Sequence, residues 1–306
     1  MENYIVAMVT FAGIYGIMAL GLNVIWGMAG MINLGLVGFF AFGAYTTTLL
    51  TKNLGLPIGL GMAAAFAATA VAGVGVALVT GRMRLDYLAI VTLGFSETVR
   101  IGASNEIWLT NGTDGISGIP GPWRGEVTPE TFNLIYLGIV SAFVLVIFTV
   151  MQRVRHAPLG RVLRAIRDDD QVTAVAGKNV IMHKAKAFAL GAGVLGLAGA
   201  IYAHYVSYIA PDGFVPLITI YIVLALTAGG TGNNVGAVVG ALLVVFFMES
   251  TRFLTEVVPG LEAVQYAALR EMLIGGSLIA ILHFRPTGLF PERIVRHEPA
   301  KEGQKS

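Results

Sequence analysis

Between residues 152 and 186 the chain reads QRVRHAPLGRVLRAIRDDDQVTAVAGKNVIMHKAK, with a long apolar run on either side. Eight of the twenty basic side chains lie in it: Arg153, Arg155, Arg161, Arg164, Arg167, Lys178, Lys184 and Lys186. Asp168, Asp169 and Asp170 sit at its centre. A segment this polar is excluded from hydrocarbon, where a charged residue at the bilayer centre costs about 2.5–3.5 kcal/mol on insertion scales. It must be a loop between membrane segments, and its Lys/Arg content predicts the cytoplasmic side. The orientation of every other segment follows from that placement.

The rest of the chain fits this reading. Of 306 residues, 56% are hydrophobic and 12% charged, against about 25% charged in a soluble domain. Glycine occurs 39 times, well above the usual ~7%, and a residue without Cβ lets membrane helices approach closely. The expectation is an all-α polytopic integral membrane protein, one transmembrane domain over 1–306. The start, MENYIVAMVTFAGIYG, has no basic n-region or small-residue cleavage site and reads as a first membrane helix. With no cysteine, disulfides, thiolate metal sites and cysteine nucleophiles are excluded. Histidines 156, 183, 204, 283 and 297 show no ligand spacing, so no metal is expected.

A span needs about 20 mostly apolar residues. Nine stretches qualify: 5–26, 30–50, 57–80, 85–103, 131–151, 185–206, 214–232, 234–254 and 264–284. With 152–186 cytoplasmic, the N-terminus lies outside and the C-terminus inside, with a cytoplasmic tail over 285–306. Fifteen basic side chains then fall inside and three outside, Lys52, Arg124 and Arg252, while Arg100 and Arg270 lie within spans. The 30–50 stretch opens on MINLGLVG, which suits a broken or re-entrant helix. The outside loop 104–130 is rich in Gly, Pro, Asn and Asp and reads as successive turns. Asn-x-Gly pairs near 30–35 and 232–236 form a faint internal echo, of the kind that marks repeats in transporters.

Within the charged loop, Pro158 and Gly160 break the chain. Val162, Leu163, Ile166, Val172 and Val175 then fall at helical spacing, and Gly177 is placed to end the helix. A short amphipathic helix between spans suits docking into a groove on a partner protein. It equally suits lying on membrane lipid, its arginines on anionic headgroups. Elsewhere, Glu97, Arg100, Glu249 and Arg270 are charges inside predicted spans. Such groups pair or line wet cavities, and Glu97 and Arg100, three apart on a helix, are in reach of one another. All four fall in the outer thirds of their spans, which favours interfacial pairing over ion coupling at the midplane. Asn23, Asn33, Thr92 and Ser96 are polar residues in apolar surroundings, where they hold helices together or face a solute path.

PLGRVLRAIRDDDQVTAVAGKNV, with the following KAKAFALGAGVLGLAGAIYA, resembles the cytoplasmic loop of ABC-importer permeases of the branched-chain amino-acid type, the LivM-like subunits. LGLNVIWGMAGMINLGLVGFFAFGAY (20–45), RLDYLAIVTLGFSETVRI (84–101), LTNGTDGISGIPGP (109–122) and LHFRPTGLF (282–290) resemble the same family, in its order. The chain departs from the family pattern at Ala237, where a proline is usual, and has no glutamate before the Ala174 and Gly177 of the loop pattern. The resemblance implies that Arg161, Arg164, Arg167, Asp168, Asp169, Ala174 and Gly177 form a coupling helix that inserts into an ATPase subunit. It further implies a homologous LivH-like permease, two ABC ATPase subunits that carry ATP and Mg, and an extracytoplasmic solute-binding protein. The location would be a bacterial-type cytoplasmic (inner) membrane; no nucleic-acid partner is expected. The chain itself would be no enzyme, and no ATP-binding loop is present: its one Gly-Lys pair, Gly177-Lys178, has Val172 and Asn179 where glycine and a hydroxyl belong. The substrates implied are leucine, isoleucine and valine. Urea or another small amide in the same machine, and a carrier or channel needing no ATPase, remain open.

Overall fold

The computed structural model describes residues 2–292 except 82, 84, 251–262 and 286. Arg82, Arg84, Arg252 and everything beyond residue 292, including the basic groups counted above, lie outside the described residues. Helix α1, Glu2–Leu22, continues into a wider π turn, Asn23–Met28. After an irregular stretch come α2, Leu36–Thr48, α3, Ile58–Thr80, and α4, Leu85–Asn105. A one-turn helix α5, Ile107–Thr110, and a two-residue strand β1, Ile116–Ser117, precede α6, Pro129–His156. The charged loop forms α7, Pro158–Asp168, and α8, Asp170–Val175. Then follow α9, Val180–Val206, β2, Tyr208–Ile209, α10, Pro216–Gly229, α11, Asn234–Ser250, and α12, Ala263–Phe284.

The protein is a multi-pass membrane protein. Among the described residues, six helices are long and apolar enough to cross a bilayer: Asn3–Met28, Ile58–Thr80, Pro129–His156, Val180–Val206, Pro211–Gly229 and Val264–Ile281. The other three stretches expected to span differ in kind. The 85–103 stretch is helical but carries Asp86, Glu97 and Arg100. Helix α11 is apolar and shorter. In the 30–50 stretch the helix is broken: residues 29–35 are irregular, and α2 follows and runs on into a second π turn, Leu49–Asn53. From Leu36 to the end of the π turn at Asn53 the helix rises at most about 27 Å, a little less than the ~30 Å hydrocarbon core.

Helix α9 is the axis of the bundle. Asn179 caps its start by accepting from the Met182 N–H at 3.0 Å. Its glycines allow backbone-on-backbone packing: Gly191 meets Gly21 of α1 and Gly196 meets Gly43 of α2. At Gly199 a Cβ would lie 1.9 Å from the Phe40 carbonyl oxygen. Small residues at such crossings replace the hydrophobic drive that lipid does not supply. By contrast α3, α4 and α12 turn large side chains such as Val71, Ile90 and Met272 outward, as lipid-facing surfaces do.

The broken stretch is held by polar bonds. The Thr92 hydroxyl of α4 accepts the Leu34 N–H at 3.1 Å, and Asn33 Oδ1 accepts the Gly35 N–H at 2.9 Å. Non-helical backbone at membrane depth persists only where protein satisfies its N–H and C=O groups. Gly35 packs against the Thr92 carbonyl so closely that a Cβ would lie 1.7 Å from it.

Candidate functional site

The charged loop folds back onto the helix ends beside it. Its sequence predicts one helix from 161 to 176; the structure has two, broken at Asp169. The cause is local. Asp169 is extended (φ −159°, ψ 113°) and its carboxylate accepts from the Gln171 and Val172 N–H groups at 2.9 and 3.0 Å, the preferred cap for a helix start. Gly177, at φ +78°, ends the second helix in the left-handed conformation.

The two helices do different things. On α7, Leu163 and Ile166 are buried and seat the helix on the bundle. On α8 the apolar side chains point away: Val172 is 65% exposed and Val175 90%. Ala174 is exposed beside them. Arg164 donates to the Arg155 carbonyl at 3.0 Å and Arg161 to that of His156 at 3.4 Å, closing the α6–α7 corner. Asp170 pairs with Lys184 of α9 at 3.2 Å. Asp168 is exposed, 3.7 Å from Arg167.

Arg167 reaches furthest. Its Nη1 donates to the Gly27 carbonyl at the end of the α1 π turn, and its Nη2 lies 2.8 Å from the carboxylate of Glu292. Next to it runs a buried chain of amides. The Gly232 N–H donates to Asn23 Oδ1 (2.8 Å), Asn23 Nδ2 to Asn234 Oδ1 (2.9 Å), and Asn234 Nδ2 to Gln152 Oε1 (2.8 Å). The ends of α1, α6, α7 and the start of α11 thus meet in one polar joint. A groove of about 550 Å³, lined in part by Gly30, Met31, Asp86, Arg167 and Lys184, opens beside it.

Asn23 lies in this joint, and the other three polar candidates lie along the broken stretch. Asn33 and Thr92 hold that stretch as described, and Ser96 is buried on α4 against Gly38 of α2. Among the described residues, the Asn33 Nδ2, Tyr45 and Thr48 hydroxyls of this region and the Thr219 hydroxyl of α10 are buried without a hydrogen-bond partner. Of the charged candidates, Arg100 donates to Glu97 through Nε and Nη2 at 3.0 and 2.8 Å. Glu249 accepts from the Tyr4 hydroxyl. Arg270 lies on α12, its Nε buried without a partner among the described residues.

At the far end of the bundle the 104–130 loop is pinned down. Strand β1 pairs antiparallel with β2, Ile116 opposite Ile209. His204 of α9, fully buried, bonds the Pro120 carbonyl through Nδ1 at 2.6 Å and the Thr47 hydroxyl through Nε2 at 2.9 Å. Because a carbonyl only accepts, Nδ1 carries the proton and Nε2 accepts from Thr47. Arg124 donates to the Tyr205 carbonyl and lies over the Phe132 ring, 4.2 Å from its centre.

The described permease component of the branched-chain amino acid transport system matches residues 4–282. The chain belongs to this family. The match stops short of Glu292. The LivM permease of the high-affinity branched-chain amino acid transport system of Salmonella typhimurium is 32% identical, covering 92% of this chain and 69% of its own. A probable LivM permease of Methanocaldococcus jannaschii is 26% identical over 95% and 94%. The LivH permease of Salmonella typhimurium is 23% identical over 92% of both chains. No solved structure matches. Family membership makes the chain a permease component of a transport system.

Gln152, Asn234 and Glu292 were not among the residues nominated from sequence. The Asn-x-Gly echo around 232–236 was the one signal: its Gly232 and Asn234 are the groups that bond Asn23.

Proposed function

We propose that the chain is the membrane-spanning subunit of an ABC importer that moves leucine, isoleucine and valine by ATP-driven alternating access. It pairs with a LivH-like permease, two ATPase subunits and an extracytoplasmic solute-binding protein in a bacterial-type cytoplasmic membrane. Nine membrane segments, with the N-terminus outside and the C-terminus inside, fit the strong excess of basic side chains on the loop side. The broken 29–35 stretch with α2 counts as one of the nine.

The observation that carries the ATP-driven reading is the contrast between α7 and α8. A capped helical turn that exposes Val172 and Val175, on a loop too charged for hydrocarbon, offers a partner protein an apolar contact. Its base, α7, is seated on the bundle and joined to α1. ATP binding would close the ATPases, carry α7 and α8 with them, and shift the balance between outward- and inward-facing states, as a ligand with different affinity for two states must. Of the four solute-path candidates read from sequence, Asn23, Asn33, Thr92 and Ser96, Asn33 is the one with a spare group. Its Nδ2 and the hydroxyls of Tyr45, Thr48 and Thr219, buried without partners among the described residues, would contact solute, because buried polar groups want partners and a zwitterion supplies them.

Reconstitution with the partner chains tests this, following ATP hydrolysis and uptake of leucine, isoleucine, valine and urea. Binding protein plus leucine is expected to stimulate hydrolysis, and Arg164→Glu with Asp168→Arg to uncouple it. Uptake of solute by the purified chain alone, with no ATPase, would defeat the proposal.

A further inference from the structure

We infer that residues 287–292 are a working part of the coupling linkage, with Glu292 the residue that ties them to the charged loop. This rests on the importer reading above and adds to it a second route for motion. Arg167 already grips the end of α1 through Gly27; Glu292 gives it a hold on the α10–α11 corner too.

The segment is built into that corner by its backbone. The Leu289 N–H donates to the Ala228 carbonyl and the Phe290 N–H to that of Gly229, both at 2.9 Å. These are among the last carbonyls of α10, which have no partner within their own helix. Asn233 donates to the Phe290 carbonyl at 3.2 Å. Gly288, at φ +70°, lies so close to Gly230 that a Cβ there would come within 2.5 Å of the Gly230 backbone. The segment therefore moves with the corner as one body, and its acidic end meets Arg167. The two side chains are 23% and 12% exposed, so the pair is largely withdrawn from water. Gly232, on the same corner, lies against both: a Cβ on it would stand 2.6 Å from Glu292 Oε2 and 3.3 Å from Arg167 Nη1.

Two nitrogens of one rigid guanidinium hold two different anchors, a carbonyl on α1 and a carboxylate on the C-terminal segment. A planar fork does this and a lysine ammonium, a single point charge, does it poorly. Displacing α7 thus pulls on α1 and, through Glu292, on α10 and α11. Solute passage needs several helices to move together, and this pair makes one loop address three of them.

The test uses the reconstituted complex and reads two quantities, retention of the ATPase subunits on purification and solute moved per ATP hydrolysed. Glu292→Gln keeps the size and removes the charge; Arg167→Lys keeps the charge and removes the fork. Each is expected to retain the ATPase and to lower solute per ATP about tenfold, in the usual range for coupling between two sites. Because the chain has no cysteine, Arg167→Cys with Glu292→Cys gives a clean pair that a short bifunctional thiol reagent is expected to join in membranes. If Glu292→Gln transports at the wild-type ratio while Arg167→Lys does not, Glu292 is only a brace and the inference falls while the importer reading stands. Failure of the two cysteines to join also overturns it. If the unaltered complex shows no stimulated hydrolysis, the importer reading fails, and this inference with it, whatever the cross-link shows.

Discussion

At the end of the bundle that carries the charged loop, side chains reach across helix ends: Arg167 to Gly27 and Glu292, Asn23 to Gly232 and Asn234, Asn234 to Gln152. At the opposite end the loop is held through its backbone: β1 pairs with β2, the Ile119 N–H donates to the Ser207 carbonyl at 3.2 Å, and the side chains that take part, His204 and Arg124, donate to the carbonyls of Pro120 and Tyr205. Backbone pairing fixes a loop in one place with little freedom of direction. A cluster of long side chains can keep its bonds while the helices that carry it turn. The first kind of contact suits a seal over the helix ends, the second a joint.

The largest effect that separates the two ends is expected at Asn23. Asn23→Leu leaves the Gly232 N–H and one side of the Asn234 amide buried without partners, a loss of about 3 kcal/mol from two such groups. Thermal unfolding in detergent reads it, and a change within error would mean that water replaces the amide there. At the other end His204→Leu strips partners from Thr47 and Pro120 and is expected to cost about 1–2 kcal/mol. Hydrogen exchange should rise over residues 107–124 and stay unchanged around Gln152 and Asn234, and solute moved per ATP should hold. If His204→Leu uncouples transport as strongly as Glu292→Gln, the distinction between seal and joint is lost.

A smaller effect tests how independent α8 is of the helix beneath it. Asp169→Ala removes the cap that separates α8 from α7, worth about 1 kcal/mol. The unfolding midpoint should hardly move, because α8 buries little beyond Thr173. Affinity for the ATPase subunits should fall severalfold, measured by titrating them onto the detergent-solubilised permease. A lowered midpoint with unchanged affinity would make α8 part of the bundle and not its exposed tip.

What the chain discloses on inspection, and what it hides, divides by range. The span of α6 is legible in its apolar run, though the helix starts at Pro129, two residues before the expected 131, and the close helix packing is legible in the abundance of glycine. The broken stretch at 29–35 is legible in MINLGLVG, and the polarity of Asn23, Asn33, Thr92 and Ser96 marks them as special. Their partners are not legible. Asn23 bonds a segment some two hundred residues away, and no local period encodes that. The break at Asp169 was hidden for another reason: three aspartates in a row each make a plausible cap, and apolar spacing carries smoothly across them. Glu292 lies in a tail whose neighbours are charged, so nothing in its surroundings singles it out until the fold brings Arg167 to it.

The smallest effect concerns α4, and it bears on how many segments cross the membrane. Glu97 and Arg100 form an ion pair on the helix surface, their side chains 32% and 30% exposed. If this turn lies among headgroups and water, the pair behaves like other exposed i,i+3 pairs and Glu97→Gln should change stability by about 0.5 kcal/mol or less. If it lies within hydrocarbon, removing one partner strands a charge, and the loss should approach the ~3–5 kcal/mol seen for broken buried pairs. The outer-third position of both residues in the nine-segment topology favours the small value. A double-mutant cycle of Glu97→Gln with Arg100→Gln, read by thermal unfolding in lipid nanodiscs, measures the coupling directly. A small coupling places the outer end of α4 at the interface. A large one would push the helix inward and require the charges to line a wet cavity, which would move the solute path from the α2–α10 side toward α4.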